Sequence, residues 1–147
     1  MATRARVAIE DNGKIIGSYV HWDGYPGGLG YNLINNWYDP GKLKEGIKLG
    51  DASSWGDDID RNVYYKRDKN ESNVDYRIYN SEEDYLKNAD KAGEEFIYLG
   101  KKKGVGIDWF VANWRTKRLE PLEEKAIWER IEMLKENLKA VRLRKAS

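Results

Sequence analysis

The sequence predicts an α+β protein in which helices pack against a largely antiparallel sheet. Three observations predict this class: an Asn-Gly turn between two runs rich in Val and Ile, further strand-like runs, and helical segments with recognisable caps. The predicted order is ββ, αα, ββ, α, ββ, α. Because 147 residues suit one hydrophobic core, we expect a single domain over residues 1–147.

The first half of the chain begins with a predicted β-hairpin over residues 4–22. Its turn is Asn12-Gly13, since both central positions of a type I′ turn need positive φ. A short helix follows the glycine-rich loop. A second helix starts at Asp39-Pro40, which supplies an N-cap and a proline at the first helical position, and it ends at Gly50. We interpret residues 51–60 as a polar loop.

The second half alternates short strands with helices. Ser81 and Asp84 resemble a capping box and open a helix that ends at Gly93. Two runs before this helix predict a second hairpin with a loose tip, two runs after it predict strands around a basic turn, and a final helix follows. These segments are Asn62–Lys66, Tyr76–Tyr79, Glu95–Leu99, Val105–Trp114 and a helix from Pro121 towards Arg144.

The final helix, residues 121–144, carries an apolar seam with spacings of four, three, four and three residues. The seam consists of Ile127, Ile131, Leu134, Leu138 and Val141. Its simplest interpretation is docking on the sheet, because a sustained coiled coil needs three or four heptads. The helix extends well past the last predicted strand, however. We therefore predict a homo-oligomer that forms through the C-terminal helix.

Composition excludes several functions. The net charge is +1, so no overall electrostatic field attracts nucleic acid, and we expect no nucleic-acid partner. The alternative is a nucleic-acid-binding protein that uses the basic residues at the end of the last helix. There are no cysteines and one histidine, so we predict no metal and no cofactor. The chain shows no apolar leader or membrane-length segment, and we expect a cytoplasmic protein without a membrane partner. Six Trp and ten Tyr suit half-wet binding surfaces.

The most informative window is HWDGYPGGLGYNL, residues 21–33. It places the single histidine, His21, beside aromatic and acidic side chains, and it holds four glycines within seven residues. The glycines allow a sharp strand-to-helix corner, and this is the simplest role of the window. The alternative is a binding site in which aromatic rings stack on a planar ligand while loop amides and a basic side chain hold an anionic part.

We name no catalytic residue; if the protein is an enzyme, His21 is its acid or base and Asp23 orients it. Asp51 and Ser53 have a simpler role in closing the turn after the second helix, and Arg67 in a solvated strand end. The candidate ligand-binding residues are His21, Trp22, Asp23, Tyr25, Gly27, Gly28, Tyr31, Asp51, Ser53, Trp55 and Arg67.

Residues 4–112 resemble a family of small proteins encoded by tailed bacteriophages. The elements HWDGYP and LGD-x-SS-x-G carry this resemblance most specifically. It implies an accessory, non-virion protein made in the infected cell. The family has no established activity, so it supplies no catalytic residues. We therefore expect a host-takeover or counter-defence protein that binds a host protein or a nucleotide-like small molecule; a hydrolase or transferase acting on a phosphate-containing substrate is the alternative.

Overall fold

The computed structural model describes residues 2–146, apart from the side chains of Asp90 and Lys91. Its strands are β1 Ala5–Asp11, β2 Lys14–Val20, β3 Ala52–Ser54, β4 Val63–Tyr64, β5 Arg77–Tyr79, β6 Phe96–Lys103, β7 Gly106–Asn113 and β8 Glu120–Pro121. They form one sheet with the order β4-β3-β2-β1-β6-β7-β8, and β5 also pairs with β2.

Helices lie in the connections from β2 to β3, from β3 to β4 and from β5 to β6, and one helix follows the last strand. The α-helices are α1 Tyr31–Asn36, α2 Pro40–Lys48, α3 Glu82–Ala92 and α4 Glu123–Ala146. Two further helical segments are single short turns: a π-helical turn over Pro26–Gly30, which runs directly into α1, and a 3₁₀ turn over Ile59–Arg61. The predicted α+β class, with its N-terminal hairpin and long C-terminal helix, is confirmed.

The sheet is mixed but mostly antiparallel. Its parallel pairs are β1 with β6 and β2 with β3, and the other pairings are antiparallel. Because β1 already occupies one edge of β2, β5 and β3 share the other edge. β5 pairs with Ile15–Gly17 and β3 with Val20, so the partner strand changes partway along β2.

The local signals in the sequence are confirmed where they specify backbone geometry. Asn12 and Gly13 have φ of 51° and 79°, as the predicted hairpin turn requires. The Asp39 carboxylate accepts a hydrogen bond from the Gly41 amide, 3.3 Å away, and so caps α2. The Ser81 hydroxyl caps α3 by accepting from the Asp84 amide at 3.1 Å.

Three predicted features are wrong. Segments 62–66 and 76–79 do not form a hairpin with each other, because β4 pairs with β3 and β5 with β2. Segment 51–60 is not only a loop, since it contains the three-residue strand β3. The last helix begins at Glu123 rather than Pro121, because Glu120–Pro121 pairs with β7 as an edge strand, where a proline is tolerated.

The two faces of the sheet differ in what covers them. The first face lies under α1, α2 and α4, and it holds the larger apolar cluster, which includes Trp37 and Tyr98. The second face lies under α3 and holds a smaller cluster around Ala8 and Leu99. Arg6 is also buried on this second face, where it pairs with the buried Glu94.

α4 docks on the domain through its first half alone. Ala126 is fully buried, and a Cβ placed on Gly27 would lie only 2.8 Å from the Met133 sulfur, so the helix runs closely past the π-helical turn. From residue 134 onwards its side chains are exposed, apart from the half-buried Val141. The apolar seam does not dock on the sheet: Ile127 is 40% and Leu134 53% exposed. Self-association through the seam stays a prediction.

No helix within residues 2–146 combines the length and the apolar character that a membrane span requires.

Candidate functional site

The chain corner between β2 and α1 is built by glycines and one left-handed residue. β2 ends at Val20, and Asp23 then takes a φ of 59°. Gly24 follows, and its amide donates to the Thr3 carbonyl at 2.9 Å. A Cβ at Gly24 would lie 2.6 Å from that carbonyl oxygen, so the corner packs directly against the start of β1 and requires glycine.

The glycine-rich loop does not offer its amides to a ligand. The Gly27 amide donates to a carboxylate oxygen of Glu129 at 3.0 Å, and the Gly28 amide donates to the Tyr25 carbonyl at 3.0 Å. The next amide, of Leu29, donates to the Asp23 carbonyl at 2.8 Å. The predicted use of these amides as an anion cradle is therefore wrong: the anion at Gly27 is the protein's own carboxylate, and it fastens α4 to the corner.

Beside this corner lies a cleft with a volume of about 250 Å³, which we call the aromatic cleft. Its walls come from four separate parts of the chain: the corner after β2, α1, the end of β3 with the residues that follow it, and α4. The lining residues are Trp22, Asp23, Tyr25, Gly28, Leu29, Asn32, Ser54, Trp55, Gly56, Asp57 and Arg130. Five predicted site residues, Trp22, Asp23, Tyr25, Gly28 and Trp55, thus converge on one depression.

The two tryptophans of the cleft follow the paired strands β2 and β3, and they are held in different ways. The Trp22 amide donates to the Ser53 carbonyl at 2.9 Å, which continues the β2–β3 pairing. The Trp55 ring packs against the buried Trp37, with centroids 4.5 Å apart. The Asn32 side-chain amide donates to the Gly56 carbonyl at 2.8 Å and so ties α1 to this segment. Trp22 itself is 47% exposed.

One polar group of the cleft residues is left without a partner. The indole N–H of Trp55 is buried and finds no hydrogen-bond acceptor within the described part of the chain. The neighbouring donors are used: the Trp37 indole donates to the Gly56 carbonyl at 3.0 Å. An unsatisfied buried donor costs roughly 1–3 kcal/mol.

The charges around the cleft nearly balance. The Arg130 guanidinium lies over the Tyr31 ring at 5.3 Å from its centroid, and it is the basic group among the lining residues. Asp57 pairs with Arg61 at 3.2 Å. Burial, followed by the charge of Asp23, raises the pKa of the Tyr25 hydroxyl. This hydroxyl therefore stays protonated at neutral pH, as a neutral polar group in the wall.

His21 lies outside the set of residues that line the cleft. Its Nδ1 shares a hydrogen bond of 2.6 Å with the Tyr19 hydroxyl, in which the tyrosine donates when Nδ1 carries no proton. The ring also meets Trp22 edge to face, with centroids 4.8 Å apart. Burial raises the pKa of Tyr19. The imidazole thus contacts Tyr19 and Trp22, while Asp23 turns into the cleft.

Asp51 fills the gap where the partner of β2 changes from β5 to β3. Its carboxylate accepts from the Tyr19 amide at 2.9 Å and from Arg77 at 3.3 Å. Its own amide donates to the Val74 carbonyl at 2.8 Å. The buried carboxylate thereby satisfies a strand amide that no neighbouring strand reaches, which is a structural role.

The remaining predicted residues lie around the cleft or away from it. Tyr31 and Gly27 contact Arg130 and the α4 side of the corner. Ser53 contributes its carbonyl to Trp22. Arg67 lies elsewhere: its guanidinium pairs with Asp68, donates to the Ile59 and Asn62 carbonyls, and covers the Tyr64 ring.

Several lining residues were missed at the sequence level. Ser54 and Asp57 flank the predicted Trp55, so widening the window would have found them. Arg130 gave no signal, because it belongs to a helix about a hundred residues further along the chain. A second depression of about 270 Å³, lined partly by Pro26, Lys125 and Trp128, contains none of the predicted residues.

Among the side chains that the structure describes, no group of three or more histidine or acidic residues could hold a metal ion. Comparison with protein-family models, with curated proteins and with solved structures finds no match to this chain.

Proposed function

We propose that this protein acts by binding, and that the aromatic cleft takes a small molecule with a planar, nucleobase-like group. The observation that carries the proposal is the convergence of Trp22, Tyr25 and Trp55 on one cleft, with Arg130 at its wall. Aromatic faces supply about 1–3 kcal/mol for each stacked base. A planar ligand would stack on the aromatic side chains of the cleft, and an anionic group on it would meet Arg130.

The size of the cleft supports one ring system rather than a larger ligand. Its volume of about 250 Å³ lies below the roughly 300–1,000 Å³ of drug-sized pockets. A phosphate attached to the ring would therefore extend out of the cleft, and Arg130 is the basic lining group available to it.

The resemblance to phage accessory proteins supplies the biological context of the proposal. A protein of this kind, made in the infected cell, would counter a host defence by sequestering a nucleotide-like signal. The hydrolase alternative requires His21 beside the bound phosphate, but the imidazole lies outside the cleft lining and its Nδ1 is engaged by Tyr19. The geometry therefore favours sequestration over turnover.

The test is to incubate the protein with nucleosides and with mono-, di- and cyclic nucleotides, and then to measure both affinity and the chemical state of the recovered ligand. We expect at least one compound to bind and to be recovered intact after denaturation. Trp22→Ala and Trp55→Ala should each weaken this binding about tenfold or more, since each removes a stacking face.

Trp114→Ala is the matched control, because Trp114 is 51% exposed, lies outside the cleft lining, and stacks with Arg115 instead. Its affinity should equal that of the unaltered protein. Turnover of a bound compound that His21→Ala abolishes would overturn the proposal in favour of the enzyme. Equal binding by the Trp22→Ala and unaltered proteins would place the ligand elsewhere.

A further inference from the structure

The apolar seam of α4 is a continuous exposed surface on a helix that is already anchored. Glu129, Arg130 and Met133 lie against Gly27 of the π-helical turn and Ala126 is buried, whereas Ile127 lies about 100° further around the helix than Ala126. Four seam residues, Ile127, Ile131, Leu134 and Leu138, are 40% to 53% exposed and Val141 is half-buried. α4 is about 36 Å long for its 24 residues.

The charges of α4 divide the helix into two unlike halves. Residues 123–134 contain four acidic and two basic side chains, a net charge of −2. Residues 135–146 contain five basic and one acidic side chain, a net charge of +4. Two copies of such a helix attract each other when they run antiparallel, because the acidic half of each then meets the basic half of the other.

We propose that the seam is covered by the α4 of a second copy of this chain, in an antiparallel pair. A parallel pair sets acidic half against acidic half and basic half against basic half. The antiparallel pair avoids this repulsion. The proposal concerns a surface other than the aromatic cleft, and it stands or falls independently of the ligand.

The side chains that flank the seam select the register of the pair. One register stacks Ile127 on the partner's Leu138 and Ile131 on the partner's Leu134. It brings Glu123 towards the partner's Arg144 and Trp128 towards the partner's Lys135, an opposite-charge and a cation–π contact.

A register shifted by one heptad has the same number of apolar layers, but it places side chains of like charge beside each other next to the seam. It stacks Leu134 on the partner's Leu138, and it brings Lys135 against the partner's Lys135. The apolar layers alone do not distinguish these registers, whereas the repulsion between like charges disfavours the shifted one.

Sedimentation over a range of concentrations tests the association itself. We expect a reversible dimer with a dissociation constant on the order of micromolar, because a seam of about two heptads is short. Leu138→Glu should raise this constant at least a hundredfold. The side chain is half exposed in the single chain, so the fold should survive the change.

Leu143→Glu is the matched control: Leu143 is also exposed and on α4, but it lies on the side opposite the seam, and we expect its dimer to be unchanged. A monomer at every concentration up to about millimolar would overturn the proposal. Equal weakening by the two substitutions would also overturn it, since the seam would then not be the interface.

Disulfide trapping tests the orientation of the two helices. The chain has no cysteine, so an introduced cysteine can form a disulfide only with another introduced cysteine. A mixture of Ile127→Cys and Leu138→Cys proteins should give a mixed disulfide under mild oxidation, whereas neither protein alone should crosslink. Self-crosslinking by each single variant would show a parallel pair and overturn the antiparallel arrangement.

Discussion

The two faces of the sheet are stabilised in different ways. The first face, under α1, α2 and α4, is packed almost entirely with apolar and aromatic side chains, and Trp37 is fully buried among them. The second face has a smaller apolar cluster, and beside it the buried ion pair of Arg6 and Glu94. The first face combines packing with hydrogen bonds from neutral side chains, such as Tyr98 to the Gly24 carbonyl, whereas the second face adds a buried ion pair.

Two buried tyrosines lie on the second face beside the ion pair, and their rings contact each other. Arg6 also donates to the Tyr79 hydroxyl at 2.7 Å, and Tyr85 donates to the Tyr98 carbonyl at 2.7 Å. Burial opposes the charge on Arg6, but Glu94 and Tyr79 outweigh it and raise the pKa of the guanidinium. We therefore expect the second face to be more sensitive to the loss of a charged or polar side chain, and the first face to be more sensitive to a change in side-chain volume.

Trp37→Ala should produce the largest loss of stability on the first face. The substitution removes a buried ring that fills the space against Gly46 and supports Trp55, so we expect a loss of about 3–5 kcal/mol. Chemical denaturation measures this value. Trp114→Ala, at an exposed tryptophan, should change it by less than about 0.5 kcal/mol. A small effect at Trp37 would refute the claim that this face is sensitive to side-chain volume.

Glu94→Ala should destabilise the second face almost as much, by about 3 kcal/mol, because it leaves the buried Arg6 guanidinium without its carboxylate. The double variant Arg6→Met with Glu94→Leu separates charge from volume. It removes both charges at similar side-chain size, and we expect it to recover most of the stability that Glu94→Ala loses. Additive losses in the double variant would show that the two groups do not act as a pair.

These contrasts also explain how much of the molecule was predictable. The N-terminal hairpin and the caps of α2 and α3 depend on neighbouring residues, such as Asn12-Gly13 and Ser81, and the sequence displays them directly. The pairing of β1 with β6 depends on residues about ninety positions apart, and strands as short as β4 have too few residues to show alternation.

The candidate site shows the same difference between residues that are close in sequence and residues that only the fold brings together. Trp22, Asp23 and Tyr25 were found because rare residue types cluster within a few positions, and Trp55 because it stands in a polar segment. Arg130 and Glu129 reach the same corner through the docking of α4, and Glu129 meets Gly27 across 102 positions of sequence. That contact also explains why the loop amides, which looked free, are occupied.

The smallest predicted effect concerns a charge at the rim of the first face. Asp11, at the end of β1, pairs with Lys102 at 2.7 Å and with Lys44 of α2. The hydrogen bond from Lys102, followed by that from Lys44, lowers the pKa of Asp11 from 3.8 to about 2. A carboxyl group whose pKa is lower in the folded protein stabilises the fold at pH values above the unfolded-state pKa, and this contribution is lost as the pH falls through the folded-state pKa.

Asp11→Asn should therefore be less stable than the unaltered protein at pH 6, and the difference should disappear between about pH 4 and pH 2. Denaturation of both proteins across this range measures it. The contribution should be modest because both lysines are partly exposed, and 1 M salt should reduce it further. A stability difference that stays constant down to pH 2 would show that Asp11 acts through hydrogen-bond geometry rather than through its charge.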